Sequence, residues 1–261
     1  NENEESNAVS VSVQSDRTFL ATEPIGKLLA KLALPTIAAQ LINMLYNIVD
    51  RIYIGHIPDT GAMALTGVGV CMPLIMIITA FAALVGNGGA PRATIFMGKN
   101  KKDDAEKILA NCFTMQILLS IILTVVLLIW NRDFLLAFGA SANTIEYAAS
   151  YMNIYALGTI FVQLTLGMNA FITAQGFAKE GMLSVLIGAI ANIILDPIFI
   201  FGLHMGVRGA ALATVISQCC SCIWVISFLF GKRTTLRIRG KNMGLKAAYI
   251  LPCLADRKSV V

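Results

Sequence analysis

Apolar residues in this chain come in long blocks. They show neither the alternation of a half-buried strand nor the single stripe of a soluble amphipathic helix. The blocks fall at residues 27–56, 62–98, 104–130, 143–175, 181–203 and 207–230. Each approaches or exceeds the ~20 residues that carry a helix across the hydrocarbon core of a bilayer. Several are longer and should tilt or extend past it. The pattern therefore predicts an all-α membrane protein, a six-transmembrane-helix bundle over residues 23–231. Residues 1–22 are polar and acidic, with no basic start or short apolar core of a signal peptide. They read as a disordered cytoplasmic N-terminus. Residues 232–261 read as a basic cytoplasmic linker, followed by "AAYILPCL" as the first turns of another span.

Composition agrees with the pattern. The 261 residues are 57% hydrophobic and 13% charged, where a soluble domain carries about 25% charged residues. The net charge of +5 is explained by its placement. Lys99, Lys101, Lys102 and Lys107 crowd the second connection, Lys179 lies in the fourth, and Lys232, Arg233, Arg237, Arg239, Lys241 and Lys246 follow the sixth block. The first, third and fifth connections are poorer in basic residues, with Arg132 and Arg208 the main ones. The positive-inside rule then predicts a multi-pass protein of the cell membrane with both ends of the bundle cytoplasmic. No basic–aromatic surface suggests nucleic acid. The six cysteines have no zinc spacing and read as small packing residues.

Prolines and glycines interrupt the blocks. Pro35 should bend the first helix by removing a backbone donor. Pro197 follows Asp196 directly, and carbonyls freed there would be available to a cation. Gly86, Gly88, Gly89 and Pro91 lack the preceding strand and following lysine of a phosphate loop. They read as a closely packed membrane helix.

The candidate chemistry lies in two acids. Asp196 stands in a block with no other charge, and Asp50 lies in another apolar block. A carboxylate at membrane depth is costly and needs a partner, a proton or a cavity. Gln40, Asn43, Asn47 and Asp50 are spaced three, four and three apart, on one helical face, with Tyr46 beside them. Asn192 and Asp196 share a face, as do Thr214, Ser217, Gln218 and Ser221, and the fourth block adds Thr165, Asn169 and Thr173. Asp196 lies seven residues before Leu203 and Thr214 seven after Val207, so both fall about 10 Å from the helix ends. With Asp50 toward the outer end of its own helix, this geometry is compatible with one polar pocket in the outer half of the bundle. Asn, Ser and Thr also act as hydrogen-bonding glue between membrane helices, and Asp50 has Arg51 as a neighbour. No basic residue shares the block of Asp196.

Several stretches carry a resemblance: "LALPTIAAQLINMLYNIVDRIYIGH", "NAFITAQG", "NIILDPIFIFG" and "GVRGAALATVISQ", in that order and spacing. Over residues 24–230 the chain resembles the N-terminal lobe of multidrug and toxic compound extrusion (MATE) transporters, in the DinF-like branch. The resemblance implies one lobe of a twelve-helix, two-lobe antiporter that exports amphipathic, often cationic, drug-like compounds. It carries cation binding or protonation onto Asp50, Asn192, Asp196 and Thr214, with H⁺ or Na⁺ as coupling ion and no cofactor. Asn169 matches a supporting polar residue, with Tyr46, Asn47, Gln40 and Asn43 as further support from the pattern. Pro35 matches a proline linked to helix bending. The expected C-terminal lobe is missing, so the chain reads as a half-length product. A lipid-linked oligosaccharide flippase of related architecture is the alternative, disfavoured by the few intramembrane basic residues. An aspartyl membrane enzyme using Asp50 and Asp196 is a third reading, with no further motif behind it.

Overall fold

The structure, a computed structural model, describes residues 25–255. The expectation for residues 1–22 lies outside the described residues. Helix α1 spans Ile25–Gly55, α2 Gly61–Gly98, α3 Lys102–Ala137, α4 Ile145–Leu157, α5 Thr159–Ala174, α6 Ala178–Pro197, α7 Val207–Phe230 and α8 Ala247–Ala255. Among the described residues α2, α3, α6 with its extension to Gly202, and α7 are long and apolar enough to cross a membrane. The pair α4–α5 makes a further span if counted as one bent unit. Helix α1, with 31 residues, is ~46 Å long at 1.5 Å per residue and completes a lobe of about six units.

The block at 143–175 is not one straight helix. It breaks at Gly158 with a bend of 58°. The reason is a close approach: a Cβ at Gly158 would lie 2.5 Å from Val215 of α7. Glycine lets α7 press into the chain there, and the helix turns around it. Helix α3 runs seven residues past the predicted end at 130. Its extra turns have partners on α4. Asn131 donates to Asn153 Oδ1 at 2.8 Å and to the Ala149 carbonyl at 3.3 Å, and Arg132 pairs with Glu146 at 2.7 Å. Gly139 then ends the helix with φ +100°. The Ala140 amide reaches back to the Leu135 carbonyl at 2.9 Å and the Gly139 amide to that of Leu136 at 3.1 Å, a Schellman ending.

Pro35 lies inside α1 without ending it. Pro197 does end α6, and the backbone widens into a π-helical turn over Ile198–Gly202. Proline has no N–H for the Ile193 carbonyl four residues back, so the last turn of α6, which carries Asp196, is weakened, as the sequence predicts.

Apolar packing forms one cluster at each end of the bundle. Ile54, Ile78, Leu135, Tyr151 and Met152 anchor one. Ile108, Leu109, Met168, Phe171, Leu229 and Leu236 anchor the other, at the basic end. Buried amides join the helices at mid-depth. Gln116 donates to the Ala82 carbonyl at 3.0 Å and Gln163 to the Ile78 carbonyl at 2.9 Å. Helix α1 packs chiefly against α6 and only lightly against α2 and α7. Its other flank leaves Leu41, Met44 and Leu45 exposed.

The basic segment after α7 is not a free linker. Leu236 and Ile238 are buried in the basic-end cluster. Gln175 Oε1 accepts from Thr234 Oγ1 at 2.9 Å and from the Leu236 amide at 2.8 Å. Asn111 Oδ1 accepts from the Lys246 amide at 2.8 Å, and buried Glu106 pairs with Arg239 at 2.9 Å. Irregular backbone against the bundle must have its polar groups satisfied, and these three buried side chains do it. They were missed in the sequence because each stands in a polar helix end that reads as solvent-facing. Helix α8 packs against α2 and α3.

Candidate functional site

Helices α1 and α6 bring the two acids together. The carboxyl groups of Asp50 and Asp196 interact at hydrogen-bonding range. Asp50 is 8% exposed and Asp196 0%. On α6 the four-residue spacing places Asn192 one turn below Asp196. Its Nδ2 donates to Asp196 Oδ1 at 3.3 Å. Asp50 Oδ1, Asn192 Oδ1 and Asp196 Oδ2 are buried without a hydrogen-bond partner. Two carboxyl groups at this range repel when both are charged, so a proton or a cation between them is required for stability. The alternative pairing of Asp50 with Arg51 is not the main contact, since the Arg51 guanidinium points to Met72 Sδ at 3.1 Å.

Around the pair stand hydroxyl groups from three helices. Tyr46 of α1 lies close enough to interact with both acids. Thr214 of α7 donates to the Ala210 carbonyl at 3.0 Å, and its hydroxyl is within hydrogen-bonding range of Tyr151. Tyr151, on α4, is buried within range of the Asp50 charge and stacked on Tyr155 with ring centroids 6.0 Å apart. Sequence reasoning missed Tyr151, because a tyrosine in an apolar block looks like core. The signal available was its hydroxyl, which needs a partner when buried.

The remaining candidates are spread along α1. Asn47 donates to the Asn43 carbonyl of its own helix at 2.6 Å. Gln40 and Asn43 are exposed and do not reach the acid pair. They line a separate cavity of about 500 Å³, shared with Asn87, Asn169 and Thr173. Asn169 donates to the Gly181 carbonyl at 3.2 Å. The polar stripe of α1 thus meets two different surroundings. A tight acid cluster lies at one level and an open amide-lined cavity lies nearer the basic end. The stripe was read correctly as one face, but that face spans about 15 Å of helix at 1.5 Å per residue. That is too long for one site.

The sequence model of the MatE family matches residues 35–198. The chain belongs to the MatE family. The match covers α1 through the acid of α6, so both carboxylates lie inside it. Among curated relatives, the multidrug export protein MepA of Staphylococcus haemolyticus is 29% identical over 224 residues, 86% of this chain and 49% of that protein. MepA of Staphylococcus aureus is 26% identical over 80% of this chain and 46% of its own length. The chain spans about half the length of the curated relatives it matches. Among solved structures, an outward-facing multidrug resistance MATE transporter superposes with TM-score 0.80 at 27% identity, over 87% of this chain and 50% of that one. A MOP superfamily transporter from Pyrococcus furiosus, described as having a binding pocket of reversed polarity, superposes with TM-score 0.82 at 26% identity, over 90% and 52%. MatE structures have also been solved in bent and straight conformations, and this chain superposes on them with TM-scores 0.80 and 0.81. As a MatE protein, the chain forms a half-length lobe corresponding to the N-terminal one.

Proposed function

We propose that this lobe is the cation-coupling half of a multidrug efflux antiporter, working with a second lobe to export amphipathic, often cationic, compounds. Family membership and the multidrug export relatives support the transport class. The observation that carries the coupling is the buried pair Asp50–Asp196 with three partnerless oxygens around it. Such a pair holds a proton or a small hard cation, and either serves as the transported coupling ion. The set is oxygen-only. Among the described residues no three His, Cys, Asp or Glu side chains gather as metal ligands, so a soft transition metal is not favoured.

In this reading, an ion arriving from outside neutralises the pair and draws α1 toward α6. The lobe cavity then narrows and the drug leaves outward. Helix α1 is suited to move because it holds to the lobe mainly through α6 and contains Pro35. The test is ethidium efflux from cells under imposed proton or sodium gradients, with the lobe in its two-lobe transporter. Efflux driven by one gradient and abolished by its collapse is expected. Efflux indifferent to both gradients overturns the coupling. Rescue of a flippase-deficient strain without any change in drug tolerance would move the reading to lipid-linked oligosaccharide transport.

A further inference from the structure

Two cavities lie on the basic-end side of the acid cluster and share part of their lining. The narrow one, about 40 Å³, is lined by Tyr46, Asn192, Thr214 and Ser217. Its Asn192 is one hydrogen bond from Asp196. The wide one, about 500 Å³, is lined by Gln40, Asn87, Asn169 and Thr173 and by the first turns of α6. Both share Asn43, Leu166 and Val185 as a common wall. The narrow cavity has room for a few water-sized occupants, whereas the wide one has the size of a small-molecule pocket. By size, an organic compound fits the wide cavity alone, whereas a small ion fits both.

The polar groups along this line have one chemical bias. Thr214 donates to the Ala210 carbonyl, Ser217 to that of Ala213 at 2.7 Å and Ser221 to that of Ser184 at 2.8 Å. Each hydroxyl thereby uses its only proton on the helix and turns lone pairs to the cavity. The amides follow suit. Asn192 gives its N–H to Asp196 and Asn169 gives its N–H to Gly181, which leaves both Oδ1 atoms buried without partners. Gly181 makes the second of these possible, because a Cβ there would lie 2.7 Å from Asn169 Oδ1. These hydroxyl lone pairs and partnerless amide oxygens are acceptors, which suit a cation better than an anion.

We propose that these cavities form the release path of the coupling cation, from the acid pair through a constriction at Asn43, Leu166 and Val185 into a vestibule at the basic end. The inference rests on the transport reading above for its purpose but not for its geometry. The probe is Ag⁺, a small thiol-reactive cation, applied from the basic-end side of membrane vesicles. Ala189→Cys places a thiol in the narrow cavity and Thr173→Cys one in the vestibule. Neither α5 nor α6 carries a native cysteine. Modification is read by protection from later maleimide labelling in peptide mass spectra.

Both thiols should react from that side. Val185→Trp should slow the reaction at position 189 at least about tenfold while leaving position 173 unchanged. Leu166→Trp is the second plug if Val185→Trp fails to insert. An unchanged rate at 189 with either inserted plug, or access to 189 from the opposite side alone, overturns the path. Ethidium efflux in the same vesicles separates the two ideas. A working Ag⁺ path in a protein without gradient-driven efflux leaves the path standing and removes the transport reading. Gradient-driven efflux with no effect of the plugs does the reverse.

Discussion

Asn192 and Asp196 face each other along one turn of α6, the amide nitrogen 3.3 Å from the near carboxyl oxygen. The far oxygen, Asp196 Oδ2, and the amide oxygen are both left buried without partners. Asn192 thus orients the acid without neutralising it. From α1, Asp50 brings a second carboxyl to the same place. Two acids so placed repel each other when both are charged, and a shared proton or a cation relieves that repulsion.

Asp196→Asn keeps the side-chain shape and removes the charge. The lobe should insert and fold, with its thermal unfolding in detergent little changed. Coupled ethidium efflux should fall at least about tenfold, the effect of losing a ~1.4 kcal/mol interaction from the coupled step. Efflux at the original rate would remove the acid from its central role.

Tyr151→Phe removes a buried hydroxyl that interacts with Thr214 within range of the Asp50 charge. A hydrogen bond of about 1 kcal/mol corresponds to a roughly fivefold weaker apparent affinity for the coupling ion. The measurement is the cation concentration that gives half-maximal efflux. A change in maximal rate alone would assign Tyr151 to packing.

Arg239→Ala and Glu106→Gln report on the docked basic segment. Arg239 is 57% exposed at its side chain and Glu106 only 1%, so the cost of breaking the pair falls on the buried acid. Arg239→Ala should destabilise by about 1–3 kcal/mol, after discounting for the exposed arginine. It should also open residues 231–246 to trypsin. Adding Glu106→Gln should recover part of the loss, since the neutral amide needs no counter-charge. Additive losses would show that the pair is not the fastener.

Gly86→Ala should destabilise by about 1–3 kcal/mol through overpacking. The new Cβ would lie 2.9 Å from the Gly167 carbonyl oxygen and 3.1 Å from its Cα, backbone atoms that cannot step aside. Gly69→Ala is the control on the same helix. Nothing lies within 4 Å of its added Cβ, so it should be neutral or stabilising by up to about 1 kcal/mol. Detergent melting curves of the two variants compare them directly.

Block length by itself determined a helical membrane bundle of about six units and its element order. The signal is local. A run of ~20 apolar residues can satisfy its backbone in lipid only as a helix, whatever surrounds it. The i, i+4 spacing likewise determined that Asn192 would serve Asp196, because both lie on one helix. Tertiary structure alone decided what depended on contact between helices. It put Asp50 against Asp196, brought in Tyr151 from α4, and bent the fourth block at Gly158 around Val215. It divided one polar stripe between two cavities, and it turned a basic linker into a docked segment held by Glu106, Asn111 and Gln175. The periodicity of one helix shows which residues share a face. Only the packing of its neighbours decides what that face meets at each depth.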